Sequence, residues 1–297
     1  MDRVLEYEIP SEYDGANITT VLKQHFKIST NLIKDLKKYK EGIQVNGEHK
    51  RVVDLVAKGD ILKITIRDTA SENIVPTDIP LDIVYEDEDV LVINKPPNMP
   101  THPSMGNYEN SLANGVMYYY KSKGEERVFR AVNRLDKDTS GLMAVAKNSY
   151  IHARLGEEIQ KKELKRKYMC IVCGDVERDG TVDAPIRRAD GSVINRIVAP
   201  DGQRAVTHYR VVKRYGEYTL LEMELETGRT HQIRVHMAYI GHPLVGDWLY
   251  GTEDHNIAKR QMLHSCYLCF THPITGQIME FKDEMAEDMR AFIEKLS

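Results

Sequence analysis

The residues best suited to chemistry lie in Asp136-Lys137-Asp138-Thr139-Ser140-Gly141, a run of carboxylates and hydroxyls ended by a glycine. Oxygen-bearing side chains at its first, third and fifth positions match half of a calcium-binding loop. The twelfth position is Lys147 rather than glutamate, which excludes that site. What is left is either an ordinary polar turn or a loop that presents a reactive carboxylate, Asp136, to its surroundings. Arg134 and Lys137 place positive charge near it. Arg229, approaching from another strand end, is expected to pair with the carboxylate and keep it ionised, as a nucleophile requires. Arg229-Thr230-His231-Gln232 reads as a strand-to-helix junction, where free backbone N–H groups suit a carboxylate or phosphate. His231 and His236 lack the H-E-x-x-H order of a zinc peptidase. Cys170/Cys173 and Cys266/Cys269 have C-x-x-C spacing, yet both pairs fall in strand-like runs where residues three apart point to opposite faces. Buried reduced thiols are expected there, and no metal.

The elements that position these side chains follow from periodicity. Val132 and Leu142 to Ala146 read as strands flanking the Asp136 loop, with Asp138 to Gly141 as turn residues. Asn148 or Ser149 caps a helix with Ile151, Leu155 and Ile159 on one side, and Tyr168 to Cys173 reads as a strand. Thr219 to Thr227 alternates, with Leu221, Met223 and Leu225 on one face and Glu222, Glu224 and Glu226 on the other. From Thr227-Gly228-Arg229-Thr230 a helix is expected to run to Gly241, and a last helix covers about Glu284 to Leu296. Upstream, Val84 and Val90 to Ile93 pair around an acidic turn, Asn94 to Pro103 is a stiff proline-rich loop, and a helix follows from Ser111 to Lys121. The chain starts irregularly. Ile18 to Phe26 then reads as a helix, Ser29 or Thr30 caps a second one bearing Lys34, Lys37 and Lys38, and Ile43 to Val45 enters an Asn46-Gly47 turn before the alternating Leu62, Ile64 and Ile66.

A hydrophobic fraction of 41% in 297 residues supports a substantial core, and no apolar run is long enough for a bilayer-spanning helix. The start MDRVLEYEIP lacks the order of a signal peptide, so a cytoplasmic protein without membrane contact is expected. The net charge of −4 hides an uneven distribution. Ile18 to Arg67 has 11 Lys and Arg against 5 Asp and Glu, Lys161 to Arg214 has 13 against 7, and the acidic stretch Glu72 to Val92 separates them. Lys161, Lys162, Lys165, Arg166, Lys167, Arg187 and Arg188 are available to phosphates.

Taken together, these segments resemble a known family. Asn133-Arg134-Leu135-Asp136-Lys137-Asp138-Thr139-Ser140-Gly141-Leu142 is similar to the H-R-L-D-x-x-T-S-G-L signature of RluA-type RNA pseudouridine synthases. Leu225 to Arg234 resembles the family's L-x-T-G-R-T-H-Q-I-R segment, Lys167-Tyr168 its strand, and Asn94-Lys95-Pro96-Pro97 through His102-Pro103 its K-P-x-G-x-x-x-H-P loop. Asn133 stands where the family has histidine, and Asn98 where it has glycine. Ile18 to Arg67 resembles a small RNA-binding module first seen in a small-subunit ribosomal protein, with Ser29-Thr30-Asn31 in place of its usual arginine.

The resemblance implies an α+β fold: a mixed, mainly antiparallel catalytic sheet with flanking helices over residues 79–297, a linker at 69–78, and a small α/β RNA-binding module over 1–68. It also implies isomerisation of uridine to pseudouridine in structured RNA, ribosomal before transfer RNA, by a monomer with no cofactor or metal. Asp136, Tyr168 and Arg229 would be catalytic, and Arg134, Thr139, Lys165, Lys167, His231 and Ile233 would contact substrate. Asn133 and Asn98 also admit a second reading, a non-catalytic RNA-binding or ribosome-assembly factor.

Overall fold

The computed structural model describes residues 2–67, 73–251 and 257–296, so the start of the expected linker, residues 69–72, lies outside the described residues. Residues 2–67 supply β1 (Arg3–Glu8), α1 (Ile18–Gln24), α2 (Thr30–Leu36), β2 (Ile43–Val45), β3 (Glu48–His49) and β4 (Ile61–Ile66). The four strands form an antiparallel sheet ordered β1-β4-β2-β3. The irregular start expected from sequence is instead β1. Of its residues only Leu5 is buried, so its alternation is weak, and pairing with β4 makes it a strand. Asn17 and Ser29 cap the two helices by accepting from the Thr20 and Leu32 amides. Asn46 and Gly47 both take positive φ, the demand of a two-residue hairpin turn.

The larger part contains β5 (Asp82–Glu86), β6 (Val90–Lys95), α3 (Leu112–Ser122), β7 (Ser140–Ala146), α4 (Ser149–Gln160) and β8 (Lys165–Cys173). It continues with β9 (Gly180–Asp183), β10 (Ile186–Arg188), β11 (Arg196–Val198), β12 (Val206–Arg214), β13 (Tyr218–Leu225), α5 (Gln232–Tyr239), β14 (Leu263–Thr271), β15 (Ile278–Lys282) and α6 (Glu287–Glu294). One sheet runs β5-β6-β7-β14-β8-β13-β12-β9, with β15 also paired to β14. Its pairings are antiparallel except that of β7 with β14, so the fold is α+β with a mixed, mainly antiparallel sheet.

Strand alternation divides the core into two faces. Val90, Val92, Leu142, Ala144 and Ala146 point toward α4 and belong to an apolar cluster that continues into residues 5–66. Leu91, Ile93, Met143 and Val145 point the other way, toward α3, Tyr168, Met223 and Ile233. All seven residues of β7 are buried, and each large apolar side chain buried this way is worth roughly 1.5–3 kcal/mol. The N-terminal part is tied to the sheet by Arg3, which donates to both Asp89 carboxylate oxygens at 2.9 Å, and by the Tyr150 hydroxyl, which donates to the Phe26 carbonyl at 2.9 Å.

Two further expectations change. Val132 is not in a strand: next to it Ala131 makes a single bridge to Val145, while the Val132 amide donates to the Ala144 carbonyl, because the buried Asn133 side chain takes over the next position. The final helix begins only at Glu287, with Glu284 and Met285 in the extended approach to it.

Candidate active site

Asp136 lies just before β7, in a turn closed by the Thr139 amide donating to the Asp136 carbonyl at 3.1 Å. Ser140 and Gly141, expected in the turn, already belong to β7. Gly141 has φ +109°, and a Cβ there would lie 2.2 Å from the Ser265 carbonyl oxygen, so only glycine lets β7 meet β14. Every side of the loop is anchored. Lys95 Nζ, fully buried, donates to the carbonyls of Pro96 (2.7 Å), Met99 (2.8 Å) and Lys137 (3.1 Å). Arg260 donates to the Asp138 carbonyl at 2.9 Å and to Ser140 Oγ at 3.2 Å, while its own guanidinium is gripped by Asp288 of α6 at 2.7 and 2.8 Å. Asn133 Oδ1 accepts from the Ala144 amide at 2.9 Å, and Thr101 Oγ1 donates to the Leu135 carbonyl at 2.8 Å. The loop is therefore preorganised, with the Asp136 carboxylate facing a cleft of about 700 Å³.

Arg234, not Arg229, is the cation on Asp136. Arg234 Nη1 donates to Asp136 Oδ2 at 3.1 Å, while its Nε and Nη2 grip the fully buried Asp247 at 2.8 Å each. Burial opposes the Arg234 charge, yet Asp247 and then Asp136 raise its pKa above the ordinary arginine value. Arg229 lines the same cleft, but its Nε donates to the Arg204 carbonyl at 3.1 Å. The reason lies in the local backbone. His231 takes a left-handed φ of 58° and α5 starts at Gln232, later than expected, so the residue aimed at Asp136 comes from the first turn of the helix rather than from the preceding bend. The same geometry puts His231 Nε2 4.0 Å from Asp136 Oδ2 and its Nδ1 2.8 Å from the Tyr250 hydroxyl. Burial lowers the His231 pKa, so at neutral pH it is an uncharged neighbour.

Tyr168 forms a wall of the cleft together with Leu225, Ile233 and Leu263. It is buried, and desolvation raises its pKa, so the phenol keeps its proton at neutral pH. Thr139 and Ile233 are buried cleft residues, and Arg134 is exposed at the rim. Lys165 and Lys167 do not reach the cleft. Alternation along β8 sends them to the opposite face, where Lys165 lies 3.8 Å from Glu224 and Lys167 3.3 Å from Glu222. The residue this alternation does bring beside Tyr168 is Arg166, which lines the cleft. Lys162, by contrast, is spoken for by Glu226 at 2.5 Å, and Arg187 by Asp190 and Asp201.

The four cysteines are free thiols on β8 and β14, of which Cys170 is buried as expected while Cys173, Cys266 and Cys269 are only half-buried. Burial raises the Cys170 thiol and pushes Cys266 up to about 11, so both are protonated at neutral pH. Among the described residues no group of three or more His, Cys, Asp or Glu is placed to hold a metal, and no helix is long and apolar enough to cross a membrane.

Lys95 makes the loop's stability pH-dependent. Burial, with Arg260 adding to it, lowers its pKa to about 7 against the opposing pull of Asp138 and Asp136. In the unfolded chain a lysine holds its proton up to about 10.4. Between these values the unfolded state binds the extra proton, so this group makes stability rise as pH increases from about 7 toward 10. Thermal melts from pH 6 to 9 are expected to show that rise in the wild type and a flatter profile in Lys95→Met; parallel profiles would contradict it.

Comparisons with known proteins place the chain in a family. The model of the RNA pseudouridylate synthase family matches residues 89–239, which hold Asp136, Tyr168 and Arg234. The RNA pseudouridine synthase YjbO of Bacillus subtilis is 44% identical over 268 residues, 90% of this chain and 94% of that one. Ribosomal large subunit pseudouridine synthase D of Pasteurella multocida is 40% identical over 268 residues, 86% of this chain and 83% of that one. Among solved structures, human RNA pseudouridylate synthase domain containing 4 covers 72% of this chain and 92% of its own with a TM-score of 0.59 at 22% identity, a likeness of fold. The matching family model and these relatives show that the chain belongs to the RNA pseudouridylate synthases and is an RNA pseudouridine synthase of the RluA type.

Proposed function

We propose that this enzyme converts specific uridines of ribosomal RNA to pseudouridine with Asp136 as its nucleophile. The observation that carries the reading is the Asp136 carboxylate, fixed by Arg234 at 3.1 Å and open to a cleft walled by Tyr168. A uridine in structured RNA reaches such a cleft only by leaving its stack, at a cost of a few kcal/mol, and an apolar wall offsets part of that cost by receiving the base. Asp136 attacks the nucleotide and the bond from N1 to the sugar breaks. The uracil turns, carbon 5 bonds to the sugar, the bond to Asp136 breaks and frees the carboxylate, and the proton on carbon 5 passes to water. Tyr168 packs against the base during this rotation, and its protonated hydroxyl is a donor rather than a base. Arg234 balances the carboxylate before attack and after its regeneration. The ribosomal target is supported by the name of the Pasteurella multocida relative, a large-subunit synthase.

The test uses transcripts labelled with tritium at carbon 5 of uridine. The wild type is expected to release label to water from large-subunit ribosomal RNA. Release from transfer RNA transcripts alone would replace the target, and release from neither would overturn the reading.

A further inference from the structure

We propose that Arg166 is a phosphate subsite of the cleft, the side chain that holds a backbone phosphate of the RNA strand beside the extruded base; this rests on the reading of the substrate as RNA. Arg166 is 7% exposed and lines the cleft, and its Nε is buried with no hydrogen-bond partner. No side-chain hydrogen bond or ion pair is made by it among the described residues. The other cations of the cleft are accommodated. Lys162 and Arg204 share Glu226, Arg229 donates to a carbonyl, Arg234 holds two aspartates, and Arg134 stands in solvent.

An always-charged guanidinium buried without a counter-charge costs free energy, and a protein keeps one only where something else supplies the anion. The surroundings say which anion. Arg166 and Tyr168 are two residues apart on one face of β8, roughly 7 Å along the strand, on the scale of one nucleotide from its base to its phosphate. The bare backbone of Gly228 lies against the guanidinium, where a Cβ would stand 3.3 Å from Arg166 Nη1. A side chain at 228 would make the guanidinium shift by a few tenths of an ångström, whereas the glycine leaves it in place. A uracil carbonyl would accept a hydrogen bond but leave the charge uncompensated, whereas a phosphodiester does both and matches the planar fork.

The experiment measures binding of a large-subunit ribosomal RNA transcript from about 50 to 500 mM KCl, so that the result does not depend on turnover. One phosphate contact contributes about 0.7–0.9 to the slope of log affinity against log salt. Arg166→Gln is therefore expected to bind at least tenfold more weakly at the lowest salt, with the gap to wild type narrowing about five- to eightfold across the range. Arg166→Lys should keep the wild-type slope. Because the arginine is unpaired in the free protein, Arg166→Met is expected to melt no lower than wild type. A gap that stays constant with salt, or a clear fall in melting temperature for Arg166→Met, would show a structural arginine and overturn the proposal. Tritium release by the wild type reads the parent assignment separately.

Discussion

Asp136→Asn is expected to lower tritium release from uridine-labelled RNA by a factor on the order of 10⁴ or more, to the level of a no-enzyme control. The substitution keeps the shape of the side chain, and the amide oxygen can still accept from Arg234 Nη1. The turn is made by the Asp136 backbone carbonyl, and the loop's anchors come from Lys95, Arg260, Asn133 and Thr101, none of which touches the carboxylate. The melting temperature and the RNA affinity should therefore change little, which isolates the loss in chemistry. Initial rates, thermal melts and RNA binding on the same preparation decide it. A folded variant retaining more than about one-hundredth of wild-type activity would remove Asp136 from the nucleophile's role.

Arg234→Gln carries the next largest effect, and it strikes both stability and activity. Asp247 is fully buried and receives two of the three hydrogen bonds from Arg234 to carboxylates, with the Leu249 and Tyr250 amides at 3.1 Å as its other donors. Removing the guanidinium leaves a buried carboxylate without its cation, a loss of about 3–5 kcal/mol. For a chain of this size that is a fall in melting temperature on the order of 10 °C. Activity should fall as well, because Asp136 loses its only direct guanidinium partner among the described residues. The double variant Arg234→Gln/Asp247→Asn separates the two: it should recover much of the melting temperature and none of the activity. Arg229→Gln, which breaks only a bond to a backbone carbonyl, is expected to cost far less in both. A larger loss from Arg229→Gln than from Arg234→Gln would reverse the assignment.

What sequence could reveal here was local. Ser29, Ser111 and Asn148 cap the helices their side-chain chemistry announces, and the alternation of β13 is visible in its leucines and glutamates. The family motif placed Asp136, Tyr168 and Ile233 in one cleft. The choice between Arg229 and Arg234 was not legible, since both stand in the same motif and only the left-handed turn at His231 decides which one faces the aspartate. Arg166 was nearer to hand: counting back two from Tyr168 along a strand selects it over Lys165 and Lys167, the residues that sequence resemblance put forward. Lys95 and Arg260 were hidden for a different reason. A lysine with no exposure, and a buried arginine shared between Asp288 and backbone carbonyls, contradict what charge alone suggests about location, and only long-range packing explains them.

The insertion of β14 between β7 and β8 has a consequence for how the enzyme comes into being. Both of its neighbours precede it in the chain, so as synthesis proceeds they are complete while the slot between them is empty. The bonds that hold the Asp136 loop from below, from Arg260 and His264 to Asp138 and Ser140, arrive in that same late segment. While that slot is empty, β7, buried along its whole length in the finished fold, has an unpaired edge, and the Asp136 loop has its bonds from Lys95, Thr101 and Asn133 but not those from Arg260 and His264. Such distant pairing is intrinsically slow to form. Completing the sheet and completing the support of the Asp136 loop are therefore one structural event, the docking of β14.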